Sequence, residues 1–129
     1  MTEFTVPLSQ IKPLNDGQLI IRRNLFQLIT DPQQWAYSAE VKFDLSGIMR
    51  SSRTVKVQLE VESGVLGIGW LLDDDSWAAR DSAMPNGGPT ELNLVVPRWT
   101  VGGSLIFDNW TEGGTPACGV IRSISVERS

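Results

Sequence analysis

The reactive side chains of this 129-residue sequence are unevenly chosen. Histidine is absent, which removes the usual general base, the Ser-His-Asp relay and the commonest metal ligand. The single cysteine, Cys118, has no imidazole to activate it and no intrachain disulfide partner. Free cysteine is among the most buried residue types, so a small buried thiol is expected there. Fifteen carboxylates remain. Two of them flanking a sugar bond would suffice for glycoside hydrolysis, and Glu60, Glu62, Asp73, Asp74, Asp75, Asp81, Glu91, Asp108 and Glu112 are available. Their spacing picks out no pair. The expectation is a chain that is not an enzyme, with no catalytic residues and no cofactor.

Two local patterns point to ligands and then fall short. Asp73-Asp74-Asp75 offers the oxygen atoms a calcium ion wants, but Trp77 stands where a third ligand would be needed and no downstream Glu closes the set. A solvated acidic loop is the preferred reading, with no metal expected and calcium at Asp73 to Asp75 left open. Gly64, Gly67 and Gly69 lack the third glycine of a dinucleotide fingerprint and lead into three carboxylates that would repel a pyrophosphate. Glycine inside a strand instead marks a bulge or the close approach of another group.

The five tryptophans say more. Trp35 and Trp70 fall on the core-facing parity of their segments. Trp77, Trp99 and Trp110 fall in or beside segments that read as loops. An indole has a broad apolar face and one N–H donor, and such a face suits the C–H face of a sugar ring. Asp75, Arg80, Asn86, Asn109 and Glu112 stand near enough in sequence to fix hydroxyls. The candidate ligand-binding residues are therefore Trp77, Trp99, Trp110, Asp75, Arg80 and Asn109. The alternative is that each tryptophan plugs an end of the fold beneath a loop. A reserve site is the solvent face of a sheet, where Glu40, Lys42, Lys56, Gln58, Asn93 and Asp108 point away from the core by parity. Asn109-Trp110-Thr111 also matches a glycosylation sequon, which carries little weight without a secretory signal.

These residues must be positioned by strands. From Trp35 to Leu45 the odd positions are Trp35, Tyr37, Ala39, Val41, Phe43 and Leu45, and the even ones are mostly polar. That period of two means one buried and one wet face. Val55, Val57, Leu59 and Val61 repeat it, and Ser63-Gly64 reads as the turn of a hairpin returning through Val65 to Leu72. Leu92, Leu94 and Val96 share a face up to Pro97. Leu105, Phe107 and Asn109 share another, and Ile124 and Val126 point inward near the end. Phe4 to Leu8 and Gln18 to Arg22 are shorter strand candidates, and Asn24 to Thr30 is ambiguous. About eight strands with no amphipathic helix predict an all-β fold, a two-sheet antiparallel sandwich of the jelly-roll kind. Asp73 to Pro89 reads as one long irregular loop, a common place for a site.

Length and composition agree with one domain over residues 1–129 that needs no disulfide to hold its core. A net charge of −4, with 11 basic and 15 acidic residues and no Lys/Arg cluster, argues against nucleic acid. The longest apolar run is too short for a bilayer helix, so no membrane insertion is expected. Met1 to Pro13 carries acidic Glu3, no basic start and no apolar segment, so the chain as written reads as cytoplasmic. A domain excised from a longer protein would lose such a signal.

Val65-Leu66-Gly67-Ile68-Gly69-Trp70-Leu71, Ser76-Trp77, Leu92 to Pro97, Leu105-Ile106-Phe107-Asp108-Asn109 and the closing Ile121 to Val126 together resemble the carbohydrate-binding-module-like jelly rolls. The resemblance extends especially to β-domains beside FkbM-type methyltransferases and glycosyltransferases of bacterial surface-polysaccharide pathways. It covers roughly residues 54 to 127. It implies a non-catalytic module that binds a glycan or saccharide, accessory to a bacterial glycan-modifying enzyme, with a linked catalytic domain outside these residues or with a second copy as partner. The one residue it carries over is Asn109. The alternative is a structural or oligomerisation sandwich without a small ligand.

Overall fold

The computed structural model describes residues 2–44, 52–98, 100 and 102–128. Among these residues eleven strands are present, more than the eight or so expected: β1 (Thr2–Val6), β2 (Lys12–Pro13), β3 (Gln18–Arg22), β4 (Leu25–Ile29), β5 (Tyr37–Asp44), β6 (Arg53–Ser63), β7 (Leu66–Leu71), β8 (Trp77–Ala83), β9 (Thr90–Val96), β10 (Gly102–Asn109) and β11 (Cys118–Arg128). One 3-10 turn, Leu8–Gln10, is the only helical element among the described residues, so none is long and apolar enough to cross a membrane. A six-stranded sheet runs β3-β4-β11-β6-β9, with β1 also pairing β11, and a five-stranded sheet runs β2-β5-β10-β7-β8. All pairings are antiparallel. This is the expected two-sheet sandwich.

The core lies between the sheets. Val55, Val57, Leu59, Ile121, Ile124 and Leu94 of one sheet face Val41, Leu66, Ile68, Trp70, Leu105 and Phe107 of the other, all at most 1% exposed. Each such aliphatic or aromatic side chain contributes on the order of 2 kcal/mol by leaving water. The alternation read from the sequence produces this surface directly on β6, β9 and β10.

Three expectations are corrected by the pairing. Ser63-Gly64 is not a hairpin turn, because β6 pairs with β11 and β9 while β7 pairs with β10 and β8. The chain crosses between sheets there, with Gly64 at φ +74° and Val65 donating its N–H to Thr111 Oγ1 (2.8 Å). Asp73 to Pro89 is not one loop: it contains β8, which hairpins onto the edge of β7 through a turn in which Asp74 Oδ1 accepts the Ser76 N–H (3.0 Å). An edge strand buries little, so its apolar alternation is weak. Cys118 is half-buried, not in the core; it sits beside Gln27 and Glu62 on the outer face of the six-stranded sheet.

A fourth correction concerns Trp35. It is 51% exposed, not core-facing. Ala39 pairs Phe107 while Tyr37 pairs Asp108, so Ser38 is an extra residue on β5. A bulge reverses the facing of every residue beyond it. Tyr37 therefore leaves the core side, and Trp35 precedes the strand with φ +70°. The same device recurs on β8, where Trp70 pairs Ala79 and Leu71 pairs Trp77, leaving Ala78 as the extra residue.

Candidate functional site

The two bulges bring aromatic residues to the outer face of the five-stranded sheet. Asp108 on β10 pairs Gly67 on β7 and Tyr37 on β5, and Gly69 pairs Arg80 on β8 and Ile106 on β10. Trp77 projects from the edge strand over Gly69, and Trp110, just past the end of β10, lies over Gly67. A methyl group on either glycine would fall within the neighbouring indole. The two glycines thus serve a close approach of the chain's own rings. Tyr37 and Trp77 meet edge to face at 5.7 Å, and Trp35 and Trp110 meet at 5.4 Å.

Arg80 lies among these rings. Its guanidinium carbon stands 4.3 Å from the centre of Trp77, 5.1 Å from Trp110 and 5.7 Å from Trp35, within the range where the π-face attracts a cation. Arg80 Nη2 donates to Asp108 Oδ2 (2.6 Å), and Trp110 Nε1 donates to Asp108 Oδ1 (2.8 Å). The Asp108 side chain is only 1% exposed, whereas that of Arg80 keeps 30% of its surface. Burial pushes the Asp108 carboxyl up from its ordinary value, while Arg80 and the Trp110 indole pull it back down. The outcome is a polar-aromatic cluster, tied together by hydrogen bonds, on a face turned away from the core.

Asn109 supports this cluster from beneath. It is fully buried, with Nδ2 donating to the carbonyls of Asp31 (3.0 Å) and Thr115 (2.9 Å), and Oδ1 accepting the Thr111 N–H (2.9 Å). The Trp35 N–H donates to the Asn109 carbonyl (2.5 Å). One side chain therefore ties the Asp31–Ala36 segment to the end of β10 and sets Trp35 beside Trp110. The same burial withholds the Asn109 amide from glycosylation.

Of the candidate residues named from sequence, the structure brings Trp77, Trp110 and Arg80 together, with Trp77 on a strand and not in a loop. Asn109 is adjacent but engaged internally. Asp75, at φ +66° in the β7–β8 turn, lies at the other end of the same sheet face. It lines a cavity of about 370 Å³ with Glu40, Lys42, Asp73 and Ser104. Trp99 lies outside the described residues. Sequence reasoning missed Trp35 and Tyr37, because the bulge that turns them outward leaves no local mark. The reserve residues divide: Glu40, Lys42 and Asp108 share this face, while Lys56, Gln58 and Asn93 lie outside the other sheet. That second face is occupied by ion pairs, Lys56–Glu127 (2.9 Å) and Arg122–Glu60 (2.8 Å). Among the described residues no three acidic or cysteine side chains converge as a metal's ligand set.

No protein-family model matches this sequence, and no curated protein does. Solved structures do match by fold. A carbohydrate-binding module, CBM36, in complex with calcium and xylotriose superposes with a TM-score of 0.63 at 12% identity, covering 98% of this chain and 99% of that one. A CBM4 module gives 0.60 at 10% identity, over 86% of this chain and 78% of the other. An exo-beta-agarase gives 0.64 at 11% identity over 96% of this chain, which spans 24% of that enzyme's length. At such identities the likeness is one of fold: this chain has the β-sandwich of carbohydrate-binding modules.

Proposed function

We propose that this protein is a non-catalytic carbohydrate-binding module that takes a saccharide on the outer face of its five-stranded sheet. The observation that carries this reading is the cluster of Trp77, Trp110, Trp35 and Tyr37 around Arg80, held over Gly67 and Gly69 on a face the core does not use. Rings fixed in advance present apolar faces to sugar C–H groups at little entropic cost. The Glu40, Lys42, Asp75 and Ser104 end of the same face supplies hydrogen-bonding groups for hydroxyls. The fold neighbours, one bound to xylotriose and another an exo-beta-agarase, support a saccharide as the ligand class and an accessory place beside a glycan-modifying enzyme.

Binding is tested by calorimetry and affinity electrophoresis against a panel of neutral polysaccharides. Trp77→Ala and Trp110→Ala are each expected to weaken binding about tenfold, the size of one lost aromatic contact. Binding that survives both substitutions in folded protein, or no binding to any panel member, would overturn the reading.

A further inference from the structure

A second cavity opens at the end of the sandwich, bordering the sheet-face cluster at Trp35. It measures about 440 Å³ and is lined by Asn15, Asp16, Asp31, Gln33, Gln34 and Trp35. Asn15 and Asp16 come from the turn before β3, and the others from the segment between β4 and β5. The Trp35 indole is half exposed. Two carboxylates and three carboxamides surround it, and no basic side chain lines the cavity among the described residues.

The carboxylates are built in to different degrees. Asp31 is 9% exposed, and its two oxygens accept the backbone N–H groups of Gln33 (2.8 Å) and Asp16 (3.3 Å). It is therefore held in place, with lone pairs remaining for a ligand. Asp16 is exposed and lines the same cavity. A neutral sugar seated there could donate hydroxyls to both carboxylates but would leave their charge uncompensated. A ligand carrying an ammonium group would compensate them. An anion would be repelled. Carboxamides beside an exposed indole are also the groups that grip hydroxyls and ring C–H faces.

We infer that this end cavity is a second saccharide site, selective for amino sugars, with Asp16 and Asp31 receiving the ammonium group and Trp35 the sugar ring. The inference goes beyond the sheet-face reading: it shares Trp35 with that cluster but depends on Asp16 and Asp31, which the sheet-face reading does not use, so the two can fail separately.

The test is NMR titration of the whole isotope-labelled protein with glucosamine and, separately, with glucose. Glucosamine is expected to shift the Trp35 indole N–H and the side-chain amides of Asn15, Gln33 and Gln34. Its affinity should exceed that of glucose about fivefold, the size of one accessible charge pair, and added salt should erode that preference. Asp16→Asn, a substitution at an exposed position, is expected to abolish the preference while leaving the Trp77 and Trp110 signals of free protein unchanged. Equal affinity for the two sugars, shifts confined to the tryptophans, or no shift at the Asn15 and Gln33 side-chain amides would each overturn the inference. A neutral oligosaccharide that moves neither Trp77 nor Trp110 would instead count against the sheet-face site alone.

Discussion

Asp108 is the residue on which the sheet-face site turns. An aspartate lying on the outer side of a sheet is ordinarily solvated, yet this one is closed over by Trp110 and Arg80. Burial holds its carboxyl above the ordinary Asp value. The folded protein therefore binds that proton more tightly than the unfolded chain. The resulting contribution to stability is complete below the ordinary Asp value and is lost as pH rises through the folded value. Arg80→Ala removes the strongest opposing pull. It should move the carboxyl higher still, and it should destabilise the protein more at neutral than at acid pH, because it leaves a buried charge unpaired. Carbon-13 titration of Asp108 and urea unfolding at both pH values check this. A carboxyl that stays in place in the variant would mean that Arg80 contributes packing only.

Among the elements, β7 forms the floor of the site, because its outward positions are Gly67 and Gly69. Its inward positions, Leu66, Ile68 and Trp70, are fully buried, so the strand anchors the core with one face and leaves room with the other. Gly69→Ala should lift Trp77 from the sheet, since the added methyl meets the Trp77 ring and lies 3.2 Å from Arg80 Cγ. The expected result is a stability loss of about 1–3 kcal/mol from overpacking, a shift in tryptophan emission, and weakened glycan binding with the strand pairing intact by circular dichroism. Unchanged emission would show that the indole does not rest on Gly69. The alternating strands β6 and β9 were legible from sequence because neighbouring residues supply their whole signal. Edge strand β8 was not, since its Trp77-Ala78-Ala79-Arg80 start alternates poorly and takes its register from β7.

At the scale of the molecule, among the described strands only β3–β4 and β7–β8 are consecutive hairpins, and every other pair of consecutive strands lies in different sheets. Neither sheet can form far ahead of its partner, and both bury the same core. Unfolding should then be a single cooperative transition, with tryptophan fluorescence and far-ultraviolet circular dichroism giving the same urea midpoint. Refolding should take milliseconds to seconds, as expected where pairing is mostly non-local. Separate midpoints for the two probes would show that the aromatic face melts before the sandwich.

From the sequence by itself came the all-β class, the two-sheet sandwich, the core identity of Trp70, the absence of histidine chemistry and the weight placed on Trp77, Trp110 and Arg80. Each of these depends on residue type or on a period of two, and both are local properties. The tertiary structure alone decided which faces those tryptophans occupy and which partners they meet. Bulges at Ser38 and Ala78 reverse side-chain parity, and each exists only because a partner strand distant in sequence sets the register. Trp35 thereby moved from expected core to surface, and Asn109 from expected ligand contact to buried tie. The convergence of Trp35, Tyr37, Trp77 and Trp110 around Arg80 is a consequence of strand order, which no stretch of sequence displays.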